Sequence, residues 1–180
     1  MINVSLFSQV LKLIDRDIKK KIVITHNSDK HNKGINSWTH LVFILFMHLA
    51  NANSNRDISN GLRSATGNLS HLGIYKAPSK SSMSYINAHR SFEIFKDLYF
   101  AMLNKYEPSL QRRRKYAATL KRQIFIMDAS VIPLSLDLFD WATFRTKKGA
   151  IKLHAVLDYD TALPSYAVIT EGKTHNSIGC

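Results

Sequence analysis

The chain has 180 residues, 45% hydrophobic and 21% charged, proportions that fit a globular protein with a buried core and exclude a disordered one. Its 25 Lys and Arg against 13 Asp and Glu give a formal net charge of +12, which favours a polyanionic partner. The single cysteine, Cys180, excludes an internal disulfide or a cysteine-rich zinc site, and the longest apolar run, residues 41–47, is far shorter than the roughly 18 residues of a membrane span.

Asp15 and Asp17 follow the first amphipathic stretch closely, unlike the basic-then-apolar layout of a secretory signal, so an intracellular, cytoplasmic location is expected. The basic excess is confined to one part. Residues 1–123 carry 20 Lys and Arg against 7 Asp and Glu, whereas residues 124–180 carry 5 against 6. A basic module ahead of a near-neutral, acid-bearing one suits nucleic-acid binding followed by chemistry, although an anionic membrane surface or ribosomal RNA would attract the same charge.

In chain order, Val4, Phe7, Val10, Leu11 and Ile14 recur at helical steps and predict a first amphipathic helix over 3–16. Lys19, Lys20, Lys21 and the polar residues 26–36 predict a loop. Residues 38–50 are apolar almost all round, which predicts a buried central helix. Ser54-Asn55-Arg56-Asp57 has the form of an N-terminal capping box opening a short helix that ends near Gly61, and Gly67, Gly73 and Pro78 mark a turn-rich connector. A longer helix is expected to start within 79–82 and run to 106, with Pro108 closing it. A short helix, a turn and a serine-capped helix resemble a helix-turn-helix reader. Arg56 and Arg63 on the short helix, and Asn87, His89 and Arg90 on the longer one, are candidates for DNA contact, with a solvated helix face as the alternative. Arg112, Arg113, Arg114 and Lys115 form a basic run that is read either as a solvated linker or as phosphate contact.

The stretch 123–134, QIFIMDASVIPL, is the centre of the second half. A short apolar run, 124–127, delivers the carboxylate of Asp128 and reads as a buried strand. An acid in apolar surroundings needs compensation, so Asp128 is either a paired structural group or a metal ligand. Further strands are predicted over 149–158 and 165–171, with residues 158–164 turning between them. Lys152 and His154 share one face of the second strand and either meet a nucleic-acid backbone or sit on a half-exposed sheet face; Arg145, Lys147 and Lys148 precede them as phosphate contacts or solubilising charges. Trp141 and Phe144 read as core packing. Asp137, Asp140, Asp158, Asp160 and Glu171 fall in turns or loops, where surface acids are the default.

Four motifs occur in order: Asp128-Ala129-Ser130, then Trp141-Ala142-Thr143-Phe144-Arg145, then Lys148-Gly149-Ala150-Ile151-Lys152-Leu153-His154, then Ile169-Thr170-Glu171-Gly172-Lys173-Thr174-His175. This order resembles the start of the catalytic domain of the DDE transposases of bacterial insertion sequences, in the insertion-sequence-four family. The stretches around residues 40–50, 54–62, 71–74 and 81–90 are similar to the N-terminal domain that often precedes it, so the resemblance spans roughly residues 5–176. It implies an α+β chain: a helical, basic DNA-binding domain over 1–108, a basic linker over 109–122, and over 123–180 the first three antiparallel strands of an incomplete ribonuclease-H-like domain.

Asp128 then falls on the first of three metal-binding acids, which would hold Mg²⁺ or Mn²⁺ for cutting and joining DNA by phosphoryl transfer. In the family the second acid lies in an apolar-Asp-Arg-Gly-Tyr stretch and the third in a Tyr-Arg-Glu-Lys helix, and neither occurs in these 180 residues. Asn176 also replaces an Asp of the family. The chain is therefore expected to be a truncated, inactive transposase fragment, with transposon terminal inverted repeats as DNA partner, a homodimer or full-length transposase as protein partner, and a nucleoid-associated location. The alternative is a non-catalytic DNA-binding protein or transposition inhibitor; a basic structural or RNA-binding protein is a third class. Hydrolase, zinc-finger and nucleotide-loop signatures are absent from the sequence.

Overall fold

The computed structural model describes residues 4–32, 34–52, 54–64, 69–111, 124–134, 143–144, 148–159 and 161–171. The chain divides into two compact units, Met1–Lys105 and Tyr106–Cys180. Its elements are α1 (Val4–Lys12), α2 (Arg16–Thr25), α3 (Ser37–Leu49), α4 (Asn55–Ser64), a 3-10 turn (Leu69–Leu72), α5 (Lys80–His89), α6 (Glu93–Gln111), β1 (Phe125–Leu134), β2 (Thr143–Phe144), β3 (Lys148–Asp158) and β4 (Pro164–Glu171). The fold is α+β, helices first and an antiparallel sheet after them.

The predicted first helix ends earlier than its apolar periodicity suggests, because Asp15 starts a new one. Its Oδ1 accepts from the backbone N–H groups of Asp17 and Ile18 at 2.8 and 3.0 Å, capping α2. Lys19, Lys20 and Lys21 therefore lie on a helix and not in the loop expected from their charge. A run of lysines has good helix propensity once a cap supplies the nucleus, and charge alone does not distinguish a solvated helix from a loop.

Helix α3 is the buried centre, as predicted. Asn36 caps it, its Oδ1 accepting from Thr39 N–H at 2.8 Å. Val42, Phe43 and Phe46 are buried and pack with Phe7 and Leu11 of α1, Ile58 and Leu62 of α4, Leu72, Ile74, Ala77 and Met83 into one core. The Phe7 and Phe46 rings meet edge to face, centroids 5.7 Å apart.

Ser54 Oγ accepts from Asp57 N–H at 3.1 Å, as the capping-box pattern implies. Gly61, however, does not end α4. It lies inside the helix, where a Cβ would come within 2.9 Å of Phe46 Cε1, so glycine serves the close approach of α4 to α3. The connection from Ser64 to Lys80 includes the 3-10 turn and is too long for the short turn of a helix-turn-helix. Ser79 does cap α5, its Oγ accepting from Ser82 N–H at 3.2 Å. The single long helix expected up to residue 106 is two: α5 ends at His89, Arg90 takes an extended backbone (φ −84, ψ 130), and α6 starts at Glu93. Pro108 does not close α6, which continues to Gln111.

In the second unit β3 is central. It pairs antiparallel with β1 from Phe125↔Asp158 to Leu134↔Gly149, with β4 from Ile151↔Glu171 to Leu157↔Pro164, and with the short, unanticipated β2 at Thr143↔Gly149. The β3–β4 turn is the predicted one. Asp158 Oδ1 accepts from Thr161 N–H at 2.9 Å, and Ala162 adopts a left-handed φ of 55°. The expectation of a buried first strand is corrected: Ile126 and Ile132 on one face and Phe125, Met127 and Val131 on the other are between 41% and 51% exposed. Apolar composition predicts burial only where covering elements exist, and among the described residues of the second unit none covers β1.

Gly73 gives the first test. Its φ is +70° and a Cβ there would stand 2.9 Å from Trp38 Nε1. Gly73→Ala is expected to destabilise the helical unit by roughly 1–2 kcal/mol from the left-handed backbone alone, with the contact adding to it; an unchanged thermal midpoint would refute the close packing.

Candidate nucleic-acid interface

The loop between α2 and α3 and the helix α5 enclose a cleft of about 1000 Å³ in the helical unit. Its chemistry is cationic, polar and aromatic: Lys30 and His31 on the loop, Ser82, Tyr85 and His89 on α5, and Arg90 just beyond. No carboxylate is among its described lining residues. Local capping explains the loop's shape. Asp29 Oδ1 accepts from Ser37 N–H and Ser37 Oγ, both at 2.7 Å, tying the loop to the start of α3. Asn27 and His31 take left-handed φ values of 47° and 58°, an uncommon conformation for residues with side chains.

Arg90 is the most unusual group here. Its side chain is only 6% exposed; Nη2 donates to the Ile35 carbonyl at 2.8 Å and lies 3.6 Å from Asp29 Oδ1, while Nη1 is buried without a hydrogen-bond partner. Burial lowers its pKa below the usual guanidinium value, and Asp29 opposes the shift. Tyr85 and His89 stack at 4.0 Å between centroids and 19° between planes, and Tyr85 is 63% exposed. His26 Nε2 and Asp97 Oδ2 pair at 2.7 Å at the edge of the cleft.

Of the DNA-contact candidates, Arg56 and Arg63 are exposed on α4. Asn87 has a structural task, because its Oδ1 accepts from buried His40 Nε2 at 2.5 Å. Asn87 is itself exposed, whereas the Arg90 side chain is buried and does not project from a solvated helix face. Lys152 is half-buried on β3, and Lys148 is that strand's first residue. His154 does not lie on an open sheet face: it is 2% exposed, with Nε2 3.0 Å from Thr170 Oγ1. Arg112, Arg113, Arg114, Lys115, Arg145 and Lys147, with Trp141, Asp137, Asp140 and Asp160, lie outside the described residues.

Residues 3–75 match a family model described as Domain of unknown function (DUF4372). No curated protein and no solved structure matches the chain. The matched span runs from α1 through the 3-10 turn and includes the loop wall of the cleft, while α5, with Tyr85, His89 and Arg90 after it, lies beyond the match.

Asp128 sits in the middle of β1, opposite Ala155, and is exposed; its Oδ2 accepts from Ser130 Oγ at 3.2 Å. Ala129 pairs with His154 and Val131 with Lys152, so alternation places both basic residues on the sheet face away from Asp128. Among the described residues no three His, Cys, Asp or Glu side chains gather as metal ligands. Asp128 is thus a single carboxylate, and the described residues do not by themselves fit a two-ion centre. Nor, among them, is any helix long and apolar enough to cross a membrane.

The sequence reading missed Lys30 and Tyr85. Lys30 lay in a polar stretch read only as a loop, and Tyr85 in a helix scanned for its apolar side, so no periodic or motif signal joined residues more than fifty positions apart.

His40 supplies a pH test. Its burial holds the imidazole below the ordinary value of 6.5, with the Asn87 bond opposing and Arg90 adding to the shift. The unfolded chain therefore takes up a proton near pH 6.5 that the folded unit refuses, so this contribution is complete above pH 6.5 and declines as pH falls below it. Thermal melts between neutral and mildly acidic pH should show that decline, and His40→Gln should flatten it; equal slopes in both proteins would rule out His40 as the source.

Proposed function

We propose that the chain acts in DNA transposition, as a transposase part whose helical unit binds transposon ends and whose sheet carries the first acid of a metal-dependent phosphoryl-transfer site. The observation that carries this reading is Asp128 on β1, which among the described residues pairs with β3 alone and exposes apolar side chains on both faces. A strand with an open edge and uncovered faces is one that further elements complete. In the resembled family a later strand lies beside this one and brings the second acid to the first. The order β1, β3, β4 in the sheet, the four catalytic-type motifs in sequence and the basic excess before residue 124 support the same reading.

Cutting DNA with Mg²⁺ or Mn²⁺ needs several hard oxygen ligands, and these 180 residues contribute Asp128 as one. By themselves they would bind ends without breaking them. That single carboxylate also favours a second reading, in which the polypeptide competes for transposon ends as a non-catalytic inhibitor, alone or paired with a complete transposase.

The full chain is expected to bind duplex DNA bearing terminal inverted repeats, with affinity falling on the order of 100-fold between about 50 and about 200 mM salt, the response of roughly four phosphate contacts. Added Mg²⁺ should produce no nicks on gels. Salt-indifferent binding would sink the nucleic-acid reading; Mg²⁺-dependent nicking by these residues alone, lost in Asp128→Asn, would replace the inactive-part reading with that of a working nuclease.

A further inference from the structure

Arg90 poses a problem that the DNA-binding reading leaves open. A guanidinium this deeply buried is costly unless its donors are paired, yet Nη1 has no partner and the nearest carboxylate, on Asp29, is 3.6 Å from Nη2 and already accepts twice from Ser37. Arg90 lines the cleft, and an anion entering there would meet Arg90 and Lys30 with no lining carboxylate to repel it. The start of α5, through Ser82, lines the same space and adds the favourable end of a helix dipole. Beside these groups the Tyr85 and His89 rings lie parallel, with Tyr85 largely exposed.

A cation set and a flat aromatic surface in one concavity match a phosphate joined to a planar base. Duplex DNA presents its phosphates on a convex surface and keeps its base faces stacked inside, so it offers no face to Tyr85. A cleft of about 1000 Å³ is at the upper end of the size range for sites that enclose a small ligand, large enough for a nucleotide within a strand. Resting on the proposed DNA-binding role, we propose that this cleft binds an unpaired DNA strand, with one phosphodiester at Arg90, Lys30 and Ser82 and a neighbouring base stacked on Tyr85. Asp29 holds the loop and Arg90 in place, and His26, paired with Asp97, also lines the cleft.

The test measures fluorescence anisotropy of labelled oligothymidine and of a labelled duplex with the full chain, at low salt. Tyr85→Ala and Lys30→Ala alter exposed side chains, so the core should survive, and circular dichroism checks that it does. Each is expected to weaken oligothymidine binding by about 10-fold, Tyr85→Ala through loss of one stacked base and Lys30→Ala through loss of a phosphate contact, while Tyr85→Phe retains it. Lys21→Ala, exposed and outside the cleft, should change little, and Tyr85→Ala should leave duplex affinity unchanged. If both cleft variants bind oligothymidine as the parent does while the duplex still binds, the cleft assignment is overturned and the DNA-binding role stands. If neither nucleic acid binds, both fall. Tighter, Tyr85-dependent binding of oligouridine would overturn the assignment to DNA and move the site to RNA.

Discussion

A helix that is apolar on nearly every side cannot give a face to water, so α3 must be enclosed at close range, and the helical unit follows from that constraint. Two glycines allow the approach. Gly61 lets α4 come against Phe46, and Gly73 lets the chain after the 3-10 turn pass against Trp38. Trp38 is then held from several directions: its Nε1 donates to the Leu72 carbonyl at 2.9 Å, and the Lys19 ammonium lies 4.2 Å from the ring centroid. The cation over the ring gives α2, which has no buried residue of its own, a reason to stay beside the core. A further tie joins Asp15, the cap of α2, to Lys105 of α6, and that pairing with the backbone donors of Ile18 and Asp17 holds the Asp15 carboxyl at about 2.

Fixing the start of α3 also fixes the loop before it. Ser37 is bound twice by Asp29 and once by Ser28, so the Ile35 carbonyl stands where Arg90 can donate to it. The break between α5 and α6 is the other half of this arrangement, because an extended residue at 90 turns its guanidinium back towards the loop. His40 on α3 completes the contact, bound to Asn87 and set edge to face against Phe95 at 5.0 Å. The cleft is thus a consequence of how the central helix is buried.

The sheet obeys a different logic. Its middle strand β3 is paired on both sides, and among the described residues of the second unit the buried ones, Ala150 and His154, lie on it. Among the described residues Asp128 belongs to a strand paired on one side, with its carboxylate exposed and accepting a hydrogen bond from the Ser130 hydroxyl. An exposed acid on an apolar strand is stable enough as it stands, since water solvates it, and it remains available for coordination. The acid's strength as a ligand depends on what else is brought beside it.

Local chemistry was legible from the sequence wherever one residue acts on its immediate neighbours. The serine before α5, the apolar round of α3 and the Asp158 turn could be read because capping, periodicity and turn formation span only a few positions. The new start at Asp15 was equally local, but a lysine run drew the reading towards a loop. Gly61 and Gly73 were read as punctuation because glycine ends helices as readily as it admits a neighbour, and the neighbours, Phe46 and Trp38, are distant in sequence. The sequence by itself determined that helices come first and strands after, that α3 is apolar almost all round, that the basic charge precedes the acid-bearing sheet, and that Asp128 lies on the first strand. The tertiary structure alone decided that Asn87 bonds His40, that the Arg90 side chain turns inward, that His154 is buried, that β1 is exposed, and that Lys30 and Tyr85 share a cleft. Those outcomes depend on desolvation and on contacts between remote residues, and neither is encoded in the spacing along a chain.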